Sequence, residues 1–175
     1  MASKSKSKGK SFEREIANFL SDLYEDSFTR VPDSGAFTGG KNAIRRETLS
    51  EGQIRAHKGD IIPPDDWKYF NVECKNYADF SFHQLFTTGP VPLLEAWLEQ
   101  LMDAADPGDS NALIMRFNRK GRYIAYELTP EDKYKTLRHL DYTDTTGKHW
   151  RFTGFNDFFA LNHTEYKERA QQKPI

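Results

Sequence analysis

Residues 58–75, KGDIIPPDDWKYFNVECK, set two short runs, Gly59–Ile62 and Tyr69–Lys75, on either side of a turn rich in proline and aspartate. Apolar runs of this length bounded by such breakers read as strands, so the stretch predicts an antiparallel hairpin. Opposed residues in such a pair have a constant index sum. Centring the turn between Asp66 and Trp67 sets Pro64 against Tyr69, Ile62 against Asn71 and Asp60 against Glu73. Two carboxylates then face each other about 5 Å apart at Cβ. Lys75 joins Glu73 on that face, while Ile61, Val72 and Cys74 point into the core. A slip of one residue would reverse the faces, and the apolar set supports this register.

Directly opposed like charges are destabilising, so Asp60 against Glu73 asks for a cation. Carboxylates and water suit a hard, octahedral ion, Mg2+ with Mn2+ as a substitute. A lysine beside such an ion can orient or help deprotonate a water, while the ion stabilises charge on a phosphate oxygen. The plainer reading is an exposed hairpin carrying a Glu73–Lys75 ion pair, since D…ExK is a short pattern with many chance matches. Asp65 and Asp66 read as turn formers after Pro63 and Pro64.

The chain has 175 residues, which predicts one domain with added decoration. No apolar run is long enough to cross a bilayer, and the basic, serine-rich start lacks the apolar segment of a secretory signal. A cytoplasmic protein is the expectation. Cys74 is the single cysteine, which excludes an intrachain disulfide, and the five histidines show no zinc spacing. The net charge of −1 is neutral on nucleic acid, but the cations are unevenly placed. Lys4, Lys6, Lys8 and Lys10 lie in the N-terminal arm; Arg30, Lys41, Arg45, Arg46, Arg55 and Lys58 fall between the first helix and Gly59. A phosphate backbone could be held there, though charge runs are more often solvated faces.

Residues 1–10 read as a basic flexible arm. Phe12, Ile16, Phe19, Leu20 and Leu23 have helical spacing, predicting a helix over 12–25 capped by Ser11. "SFTRVP" reads as a short strand and 35–59 as a long loop. "VPLLEAWLEQLMDAA" reads as a helix, and "NALIMRF" and "RYIAYEL" as an antiparallel pair about the turn "NRKG". "TPEDKYKTLRHL" reads as a helix capped by Thr129. "HWRFTGFNDFFALN" reads as a strand and a short helix, with fraying from Tyr166. The order of elements predicts an α/β or α+β layered domain, divided into the arm 1–10, a core 11–128 and an extension 129–175.

Four ordered elements together resemble the PD-(D/E)XK nucleases, most closely the archaeal-type and phage Holliday-junction resolvases: "KGKSFEREIANFL" with Glu13, "TRVPDSGAF" with Arg30 and Ser34, "GDI" with Asp60, and "FNVECK" with Glu73 and Lys75. The resemblance covers roughly the first half of the chain. It implies an α/β, restriction-endonuclease-like core, a central mixed β-sheet flanked by helices. It also implies that Glu13, Asp60, Glu73 and the Cys74 carbonyl bind the metal and that Lys75 assists the attacking water. Ser34 would stand near the scissile phosphate, with Arg30, Lys41, Arg45, Arg46 and Lys58 holding DNA. Periodicity alone leaves Glu13 and Glu15 equivalent; the motif favours Glu13. Gly59 replaces the family proline.

The expected function is a magnesium-dependent, structure-selective endonuclease acting on four-way junctions as a homodimer. The alternatives are a restriction-like or repair endonuclease on duplex DNA, or a DNA-binding module that keeps the fold without turnover. Gln100 and Asp103 on the second helix are candidates to support the site, and Tyr77, Phe80 and Phe82 to stack on bases. Core packing or a solvated face accounts for these as well.

Overall fold

The computed structural model describes residues 4–32 and 58–172. Helix α1 (Lys4–Tyr24) leads into β1 (Thr29–Arg30), and β2 (Ile61–Ile62) into β3 (Phe70–Tyr77). A 3₁₀ segment (Phe82–Phe86) and helix α2 (Pro92–Asp103) cross to β4 (Ser110–Phe117) and β5 (Gly121–Glu127). The chain closes with β6 (Leu140–Thr143), β7 (His149–Gly154) and α3 (Phe155–Gln171).

Five strands form one sheet in the order β3-β4-β5-β7-β6. The β3–β4 pair is parallel and the others antiparallel, so the sheet is mixed. Strand alternation sends residues to two faces. Val72, Cys74, Ala112, Ile114, Ile124 and Tyr126 pack with Phe12, Ile16 and Leu20 of α1 and Phe155, Phe158 and Tyr166 of α3. Leu113, Met115, Ala125 and Phe152 pack with Leu94, Trp97, Leu98 and Leu101 of α2. The result is a three-layer α/β sandwich with a mixed central sheet flanked by helices, as the family resemblance implies. Among the described residues no helix is long and apolar enough to cross a membrane.

Several expectations need correction. The 59–75 stretch is not a closed hairpin: Ile61 and Ile62 pair with Arg30 and Thr29, and β3 takes β4 as its ladder partner. Residues 4–10, expected as a flexible arm, are helical, so Ser11 lies inside α1 and caps nothing. Asn76 Nδ2 donates to the Lys8 carbonyl at 3.0 Å, a tertiary tie that a local pattern does not show. Residues 129–139 form no helix. Thr129 Oγ1 instead bonds Asp132, while Asn162 accepts from the Lys135 amide at 2.6 Å and donates to its carbonyl at 2.8 Å. The tail is not frayed at Tyr166: α3 continues to Gln171, with Tyr166 and Ala170 fully buried. Ser34, Lys41, Arg45, Arg46, Arg55 and most of the 35–59 loop lie outside the described residues.

Candidate active site

Strand β3 lies at one edge of the five-stranded sheet, and Asp60 is fixed beside that edge by three bonds, two of them to β3. Its amide donates to the Val72 carbonyl at 2.9 Å, its carbonyl accepts from the Val31 amide at 2.9 Å, and its Oδ2 accepts from the Cys74 amide at 2.7 Å. Asp60 therefore lies beside Glu73, as expected, but not through the hairpin register: its amide meets Val72, and Gly59 lies against Val72 and Asn71 rather than opposite Cys74. The approach is possible because Gly59 takes φ +63°, and a Cβ there would come within 2.5 Å of the Val72 carbonyl oxygen. A proline, locked near φ −65°, cannot take that backbone.

Glu73 lies beside Asp60, with Lys75 two residues on along the same face of β3. The two carboxyl groups share a hydrogen bond, and both are almost completely withdrawn from solvent. Burial first, and the Glu73 charge second, push the Asp60 carboxyl up to about 7. Burial also raises Glu73, opposed chiefly by the Lys75 ammonium. Lys75 Nζ lies 2.7 Å from Glu73 Oε1 and 2.6 Å from Gln100 Oε1, so Gln100 of α2 fixes the lysine from its far side. Asp103 is exposed.

Glu13 and Glu15, equivalent by periodicity, are separated by the fold. Glu13 is buried beside this pair: desolvation and the Asp60 charge raise its carboxyl, against the pull of Arg30. Arg30 Nε donates to Glu13 Oε2 at 2.6 Å, placing Arg30 at the site as a partner of Glu13. Glu15 turns toward β4 and β5, where it meets Arg116 and, at 3.3 Å, Arg122.

Lys58 does not reach outward to phosphate. Its side chain is 5% exposed, and its amine is held by Asp109 and, at 3.0 Å, by Asp106. Most of Asp109 is buried, and an unpaired carboxylate there would be costly, so the lysine anchors the segment entering Gly59. Asp65 and Asp66 are exposed turn residues, as expected. Asn71 is a residue that the sequence reading passed over. It sits two before Glu73 on the same face, and its Nδ2 donates to the Leu101 carbonyl and to Asn111 at 3.0 and 2.9 Å. The available signal was its place two before Glu73, on the face that carries the acids.

The donor set suits a hard divalent ion. Asp60 and Glu73 are buried carboxylates with Lys75 as close counter-charge, and excess negative charge in a desolvated site favours a cation. The Cys74 carbonyl faces the same edge as its amide, which already reaches Asp60. The Cys74 side chain points away, into the core with Val72 and Ala112, where burial pushes its thiol well above the usual value. Among the described residues no three His, Cys, Asp or Glu side chains gather as a metal-holding group. One or two carboxylates, with waters and phosphate oxygens completing the shell, is the usual magnesium arrangement.

A profile of the family described as "Phage putative PDDEXK endonuclease" matches residues 4–168. The chain belongs to this PD-(D/E)XK endonuclease family. The match runs from the start of α1 through every strand into α3. The layered sheet is thus a restriction-endonuclease-like core, and DNA is the substrate class that membership in a nuclease family implies. No curated protein and no solved structure matches the chain.

Proposed function

We propose that this PD-(D/E)XK protein is a magnesium-dependent, structure-selective DNA endonuclease that resolves four-way junctions by phosphodiester hydrolysis. One observation carries the reading: Asp60, Glu73 and Lys75 converge at the open edge of β3, with Glu13 brought beside them by α1. Asp60, Glu73 and the Cys74 carbonyl would hold the ion, with Glu13 adding negative charge at its flank. When bound, the ion lowers the pKa of a water and stabilises charge on the scissile phosphate. Lys75, steadied by Gln100 and Glu73, orients the attacking water in line with the departing oxygen. Arg30 holds Glu13 in place and offers positive charge beside the phosphate.

The junction is favoured by the order of the basic helix, the arginine strand, the Gly-Asp strand and the Glu-x-Lys strand, which resembles the resolvases. A four-way junction has approximate twofold symmetry, so a C2 homodimer would present one site to each of two strands.

The test is cleavage of an end-labelled four-way junction beside linear duplex of the same arm sequence, with magnesium and with chelator. Symmetric, magnesium-dependent nicks in the junction, lost in Asp60→Asn, are the expected result. Equal cutting of linear duplex would replace the junction reading with a restriction-like or repair enzyme. No cutting of any DNA with any divalent ion would leave a binding module.

A further inference from the structure

Four large hydrophobic side chains stand exposed among the described residues: Tyr77, Phe86, Leu93 and Leu137. Two of them belong to one surface that runs directly from Lys75. Tyr77 is two residues beyond Lys75 on β3, so it shares the face of Glu73 and Lys75 about 7 Å further along. Its ring lies 4.7 Å from that of Trp97, yet Tyr77 keeps 42% of its surface in solvent. On α2, Gln100, Trp97 and Leu93 follow one another at helical spacing. Gln100 holds Lys75, buried Trp97 backs Tyr77, and Leu93, 40% exposed, comes next. Phe117 stacks against both Trp97 and Phe80, so the shelf rests on a packed aromatic layer.

We infer that Tyr77, with Leu93 beyond it, is a stacking shelf for an unpaired nucleobase next to the scissile phosphate at the Asp60, Glu73 and Lys75 site. This rests on the reading of the site as one that cuts DNA. The nucleotide next to that phosphate is within reach of Tyr77, which lies only about 7 Å along the strand from Lys75. A base in intact duplex is stacked on its neighbours and does not present a face to the shelf. A branch point does. The shelf thus supplies a physical reason for preferring branched or partly single-stranded DNA, with the aromatic ring tolerant of base identity.

The experiment uses the full chain carrying Asp60→Asn, so that binding is read without cleavage, and branched DNA with 2-aminopurine at each position flanking the branch in turn. At one position the emission should be quenched on binding, and Tyr77→Ala should abolish the quenching while Tyr77→Phe keeps it. Tyr77→Ala should weaken binding of that DNA about tenfold. An abasic site at the same position should weaken the Tyr77 protein similarly and leave Tyr77→Ala unchanged. Unaltered affinity and emission in Tyr77→Ala would overturn the inference. So would an equal loss on intact and abasic DNA, or a loss that follows a change in oligomeric state. Cleavage by the protein with Asp60 intact is scored separately: its absence with stacking retained defeats the nuclease reading alone, and normal cleavage with no Tyr77 effect on binding defeats the shelf alone.

Discussion

Asp60 owes its place to the glycine before it. The carboxylate reaches Glu73 because Gly59 lets the backbone pass within bonding distance of Val72. Gly59→Ala should therefore displace Asp60 and lower cleavage by about 10-fold or more with every catalytic side chain intact, since small misplacements cost that much. A normal cleavage rate in that variant would show that the approach is not needed. The Asp60 carboxyl also has a signature in stability. Its folded value of about 7 stands above the ordinary 3.8, so the folded state keeps a proton that the unfolded chain has lost between those values. Stability of the protein in chelator should fall as pH rises through this window. Asp60→Asn should raise the melting temperature at pH 8, with the gain shrinking toward pH 5. An identical gain at both would contradict the buried acid pair. The two α1 glutamates give a contrast. Glu15, partly exposed against Arg116 and Arg122, should cost about 1 kcal/mol or less as Glu15→Gln and leave cleavage intact. Glu13→Gln should lower cleavage while changing stability little.

At the scale of elements, α1 joins site and core: Phe12, Ile16 and Leu20 are fully buried on the face that carries Glu13 past β3. Ile16→Ala should cost about 2–5 kcal/mol of stability, read by denaturant unfolding. The helices and strands with strong apolar periodicity were legible in the sequence: α1 from Phe12, α2, and the β4–β5 pair. The meeting of Asp60 with Glu73 was expected too, but by a hairpin that does not form: β2 pairs with β1, and Asp60 is held against β3 by its own amide and carboxylate. What escaped the sequence depends on contacts between distant segments. The start of α1 has no apolar stripe before Phe12 and is tied by Asn76 to Lys8. The Thr129–Pro130 start looks like a capped helix, yet Asn162 captures the backbone of Lys135 and the chain runs on to edge strand β6. The end of α3 reads as polar tail, but the Tyr69 amide donates to the Ala170 carbonyl at 2.8 Å and Arg169 meets Asp132 at 3.3 Å. Removing residues 166–175 should thus yield a chain that no longer unfolds cooperatively; an unchanged melting transition would show that the end of α3 is dispensable.

For the whole molecule, a net charge of −1 coexists with a substrate that is a polyanion, so binding depends on where the cations lie. Lys8 and Lys10 are exposed on the first turns of α1, on the same helix as Glu13, while Lys58 is withdrawn into its pairing with Asp109 and Asp106. DNA affinity should fall steeply with salt, with a log–log slope of about −0.9 per phosphate contacted, and Lys10→Ala should reduce that slope where Lys58→Ala lowers stability. All of these effects meet at the ion that Asp60 and Glu73 would share. The most direct measurement is an anomalous difference map from crystals of the protein soaked in manganese. A peak within bonding distance of the Asp60 and Glu73 carboxylates and the Cys74 carbonyl is the expected result. No density there, at manganese concentrations that support DNA cleavage, would contradict the proposed metal centre.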